Sequence, residues 1–159
     1  MYIRPSTDEI KKRLSQYSAI RVELDILVDR LEHLKSEETM PGMRPSSGSK
    51  PTGGTGDRQE RSIIRRMEFE ERHSEEIAAK QAELRYIEDA IKAVEDPMER
   101  MVLRIRYTES ENTKPMPWRA VAMAIYKDDS DSKMLAIYRL HGKALNSLQA
   151  IMLWEQIIG

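Results

Sequence analysis

Apolar residues recur through the first part of the chain at the three- and four-residue steps of a helix. Ile10, Leu14, Tyr17, Leu24, Val28 and Leu31 follow the spacing of a coiled-coil seam. Ile20, Leu27 and Leu34 widen that stripe beyond what one partner helix covers, so more than two helices are expected to meet here. Ser6 and Glu9 read as a capping box at the start, and the pattern predicts one continuous helix to residue 38. Residues 39–56, TMPGMRPSSGSKPTGGTG, hold five of the seven glycines and three of the seven prolines, the composition of a flexible linker. A second long helix follows over residues 57–95, with Ile63, Met67, Ile77, Leu84 and Ile91 in the same period. Glu70, Ser74, Gln81 and Glu88 interrupt its seam and predict a loosely packed middle.

The pattern changes at residue 96. Asp96 is placed to cap a helix that begins with Pro97, which has no N–H to lose, and Glu99 completes a capping box. Met101, Val102 and Ile105 are its apolar residues. The stretch from Glu109 to Pro115 ends that helix, and Pro117 pre-sets the first turn of another, WRAVAMAIY. A polar break from Lys127 to Asp131 precedes a third helix capped by Ser130 or Ser132. Three short helices over residues 96–159 read as helix, turn, recognition helix. The fold expected is all-α: a long, coiled-coil-like helical hairpin followed by a helix-turn-helix module.

Each residue advances about 100° round a helix, which assigns the faces of the third one. Ile137, Leu140, Ala144 and Leu148 fall on the side that covers Val121 and Ile125. Arg139 and Asn146 point the other way, Tyr138 and Lys143 lie on the flanks, and Gly142 keeps the outer face low. Such a face suits a DNA major groove: arginine reads guanine or binds phosphate, tyrosine touches phosphate or a thymine methyl, and lysine neutralises phosphate. With Arg119, Ser132 and Lys133 these are the candidate DNA-binding residues. The plain alternative is the solvated face of an ordinary helix.

DPMERMVLRIRY, then PWRAVAMAIY, then IYRLHGKAL resemble the region-four type helix-turn-helix of sigma factors, in the version found in phage-encoded late transcription regulators of the RinA and ArpU type. The likeness covers about residues 96 to 148, and a looser one extends to MPGMRPSSG. The turn from Tyr126 to Ser132 is longer and more acidic than the glycine-serine turn usual for the type. The resemblance implies a sequence-specific DNA-binding regulator whose partners are double-stranded DNA, host RNA polymerase and further copies of itself, working in the cytoplasm of a bacterial host. Two other readings stand beside it: a small subunit of a DNA-packaging terminase, and a helical interaction protein that never touches DNA.

Composition limits the choice. The chain has 159 residues, 33% of them charged and 6% aromatic, so elongated helices are expected over a large core. No apolar stretch approaches the roughly 20 residues that span a bilayer, and no secretory signal is recognised, so no membrane partner is expected. Without cysteine there is no thiol chemistry. The net charge is −1, yet Arg100 to Lys127 carries six basic residues against two acidic ones. DNA binding by this region alone is therefore expected to be weak and salt-dependent. No enzyme, metal or cofactor is expected. His33, His73 and His141 show no zinc spacing, Glu70 and His73 make one E-x-x-H pair without a second, and GGTG lacks the Lys-Ser or Lys-Thr of a phosphate loop.

Overall fold

The structure, a computed structural model, describes residues 1–39 and 54–155, with side chains described over 1–38 and 57–154. The expected linker lies outside the described residues except for Thr39 and residues 54–56, which are helical. The chain is all-α. Helices α1 (Thr7–Ser15), α2 (Tyr17–Thr39), α3 (Gly54–Lys92), α4 (Pro97–Leu103), α5 (Trp118–Tyr126) and α6 (Asp131–Ile151) follow in order, with a π-helical segment at Arg104–Thr108. Two short strands, β1 (Tyr2–Ile3) and β2 (Trp154–Glu155), pair antiparallel, a feature the hydrophobic pattern does not announce.

The single helix expected over 7–38 is broken at Gln16. Ser6 caps α1 with the expected box, its hydroxyl accepting from Glu9 N while the Glu9 carboxylate accepts from Ser6 N. At the other end Ser15 Oγ donates back to the Lys11 carbonyl at 2.7 Å, and Gln16 N donates only three residues back, to Arg13 O. Back-bonding serines loosen and bend helices.

The chain divides into two compact units, and the division cuts α2 and α3. The first holds residues 1–22 and 82–159; the second holds 23–81. In the first unit, α1, α4 and α5 all pack on α6. Ile10, Leu14, Ile87, Val94, Leu103, Tyr107, Val121, Ile137 and Leu148 are fully or almost fully buried there. Arg13 binds both Glu83 oxygens, at 2.6 and 2.8 Å. Arg4 donates to the carbonyls of Gln149 and Ala150, the last turn of α6, and Gln149 Nε2 returns a bond to Pro5 O.

The second unit is an antiparallel helix pair with little core. Among the described residues Leu24 is its only buried apolar side chain, and no residue of α3 from Ile63 to Gln81 is buried. Ion pairs line it instead: Lys80 with Glu23, Arg66 with Glu38 and Glu70, Lys35 with Glu70. The loosely packed middle expected from the interrupted seam is found here. Glu70 is held by cations and His73 by Glu76, so the E-x-x-H pair is spent on its own helix and its neighbour.

Candidate DNA-binding face

Asp96 caps α4 as expected, its carboxylate accepting from Met98 N and Glu99 N. The capping box is not completed. Glu99 turns to α6 instead and accepts from Ser147 Oγ at 2.8 Å, which ties the first helix of the module to the third. Beyond Leu103 the helix widens into the π-helical segment, which carries buried Ile105 and Tyr107 inward. The following loop is closed by side chains: Asn112 Oδ1 accepts from Lys114 N, Ser110 Oγ donates to Lys114 O, and Arg106 of the π-helical segment donates from Nη1 to Met116 O. Met116 N donates to Arg106 O at 2.8 Å. That clamp delivers Pro117 to the entrance of α5, which spans the nine residues read from the sequence.

The turn between α5 and α6 runs from Lys127 to Ser130, so Asp131 belongs to the helix and not to the break. Lys127 closes α5 in the left-handed conformation with φ 60°, its N–H donating to Met123 O. Asp128 then accepts from Ser130 N and Ser130 Oγ, and these bonds hold its carboxyl below the usual range. Ser130 occupies the cap position but gives its hydroxyl to Asp128, so the expected side-chain cap of α6 is absent. Ser132 Oγ lies 3.3 Å from Ser130 Oγ, its one hydrogen bond among the described residues.

Behind α6 lies an aromatic cluster. His141 is 6% exposed and shares a 2.7 Å hydrogen bond from Nε2 with the Tyr107 hydroxyl. Trp118 sets its ring edge-on to both His141 and Tyr138, with centroids at 4.7 and 5.4 Å, and the Arg106 guanidinium covers the Trp118 ring at 4.3 Å. Burial pushes the Tyr107 phenol up to about 12. Burial, helped by Lys11 and Arg106, pushes the His141 imidazole down to about 4. Both groups are therefore neutral at pH 7, and His141 is a packing residue with no open side for a phosphate.

The seven candidate residues do not share one role. Arg139, Lys143 and Asn146 are exposed on α6, and Arg119 is exposed on α5. Tyr138 is 47% exposed, half committed to Trp118. Lys133 is half-buried with its ammonium 5.0 Å over the Tyr126 ring, and Ser132 lies in the first turn of α6, close in sequence to Asp128, Asp129 and Asp131. A stripe of exposed positions at helical spacing runs through Ser132, Leu135, Arg139, Gly142 and Asn146. Leu135 is 49% exposed and was missed by reading charge alone, although its spacing from Ser132 and Arg139 puts it on that face. Tyr107 was missed for a better reason: it is 34 residues from its partner.

Two properties set this face apart. From Ser132 to Ile151, α6 has no acidic residue, and its exposed charges are Arg139 and Lys143. Gly142 lies mid-helix with open space where a Cβ would stand. No protein-family model, curated protein or solved structure matches the chain. Among the described residues no helix is long and apolar enough to cross a membrane.

Proposed function

We propose that this chain binds double-stranded DNA in a sequence-dependent way, with α6 in the major groove, and regulates transcription beside RNA polymerase in the manner of the phage regulators it resembles. The observation that carries the proposal is the outer face of α6: basic, free of acid after its first turn, and opened by a glycine that no neighbour requires. A glycine inside a helix costs about 1 kcal/mol relative to alanine. Among the described residues no neighbour accounts for that cost at residue 142, whereas close approach of a phosphodiester backbone does.

The test is a pair of variants titrated against preferred and random duplexes. Arg139→Ala is expected to lose about 1–3 kcal/mol on the preferred sequence and much less on random DNA, as a base contact does. Lys143→Ala is expected to weaken both alike and to lower the salt slope by about one. Circular dichroism checks that both fold. If both variants bind every duplex as the parent does, the groove assignment fails, and the helical interaction protein takes its place.

The reading calls for self-association, because a chain of net charge −1 needs more than one contact to hold DNA at physiological salt. The second unit offers the means. Ile26, Ile63, Ile64 and Met67 are 55%, 38%, 46% and 56% exposed on a helix pair with almost no core of its own. Ile64→Glu is expected to shift sedimentation to smaller particles; a parent that is strictly monomeric at tens of micromolar overturns the proposal.

A further inference from the structure

Arg100 and Arg104 are four residues apart, which puts them on one side of their helix. Thr108 follows after the same interval, and the passage from α to π geometry at Arg104 carries that side onward. Facing them are Lys92, which ends α3, and Glu88 one turn before it, with Tyr17 at the start of α2. These residues and Ile91 line a cleft of about 430 Å³ within the first unit. Its volume lies in the range of small-molecule sites, roughly 300–1,000 Å³.

Surface cations ordinarily find carboxylates, and here they do not. The Glu88 carboxylate accepts from the Tyr17 hydroxyl. Arg100 donates one N–H to Val94 O at 2.9 Å, which fixes the guanidinium and leaves its other N–H groups unspent among the described contacts. Among the described residues the Arg104 guanidinium reaches the Met101 sulfur, at 3.9 Å, and no carboxylate, while its carbonyl accepts from Thr108 Oγ1, and Lys92 pairs with no carboxylate. Three cations against one engaged carboxylate leave a positive excess over the buried apolar floor of Ile91. The backbone adds an independent sign. The π-helical segment is a rare conformation found often at functional sites, and both of its end residues, Arg104 and Thr108, are in the cleft wall.

We propose that this cleft binds a phosphoryl anion, gripped by the Arg104 and Arg100 guanidinium groups with Lys92 as a point charge. Arginine matches phosphate oxygens in pairs, and lysine adds charge without a fixed geometry. None of the lining residues lies on α5 or α6, so the site is separate from the proposed groove-facing helix. The anion has two sources, a free polyphosphate or the backbone of a bound duplex.

The full-length chain tests this with inorganic pyrophosphate and with random duplex DNA. The variant Lys92→Gln/Arg104→Gln removes two cations and leaves the Arg100 cap on Val94 intact; Arg85→Gln, exposed on α3 and outside the cleft, controls for net charge. If the source is free, millimolar pyrophosphate raises the melting temperature of the parent and of Arg85→Gln by several degrees and leaves the double variant unmoved. If the source is DNA, pyrophosphate does little, and the slope of log affinity against log salt falls by about two in the double variant only. The two single variants are measured alongside, each expected to lose part of the effect, so that a fold defect in the double one does not decide the matter. Parent and cleft variants alike in both titrations overturn the proposal, as does a parent that responds to neither ligand.

Discussion

His141 shows how one residue ties the module to solution conditions. Its imidazole is held neutral by burial, with Lys11 and Arg106 adding repulsion, and its pKa falls from 6.5 to about 4. The unfolded chain therefore takes up a proton that the folded chain refuses between those values. Stability is full above about pH 6.5 and drops as pH falls toward 4, by no more than roughly 3 kcal/mol at about 1.4 kcal/mol per pKa unit. Urea unfolding from pH 7 to 4 should show that loss in the parent and a flatter profile in His141→Gln. Gly142 gives a second residue-scale prediction with opposite signs in two assays. Gly142→Ala should stabilise the fold by about 0.5–1 kcal/mol, because the new methyl meets open space, and should weaken binding to duplex DNA. A variant that gains stability and binds as before would show that no partner approaches the α6 backbone.

At the scale of elements, helix identity was legible wherever proline or a capping side chain fixed an end locally. Pro97 with Asp96 and Pro117 with Trp118 set the starts of α4 and α5 as read, and Ser6 with Glu9 did so for α1. What escaped was decided by atoms far apart in sequence. Glu99 had a local use as a capping-box partner and took Ser147 on α6 instead. Ser130 had the right position and the right hydroxyl, and Asp128 took it. The outer face of α6 was legible from periodicity, whereas the buried Tyr107–His141 pair and the basic cleft depend on how α3, α4 and α6 fold together. The same holds at the end of α6, where Arg4 supplies a positive charge to the last carbonyls. Arg4→Ala should cost about 1 kcal/mol, the worth of a charge-assisted bond at an exposed helix C-terminus, with the loss visible as a lower urea midpoint at unchanged slope.

For the whole molecule, the hairpin expected from the heptad pattern is divided: its outer stretch, residues 23–81, forms one unit, and its base joins the C-terminal helices in the other. Seam positions alone do not reveal this, since Leu14 and Leu24 continue one register and yet fall on either side of the division. The discontinuity has a consequence for synthesis. In a nascent chain α1 emerges well before α6, and it finds its place against α6 only after residues 131–151 have been translated. Throughout that interval Ile10 and Leu14, both fully buried in the finished protein, lack that partner. Contacts spanning so much sequence slow folding, because loop closure must precede them. The ion-paired helices of residues 23–81, whose partners are closer along the chain, are the part able to form during the wait, before the C-terminal helices have assembled.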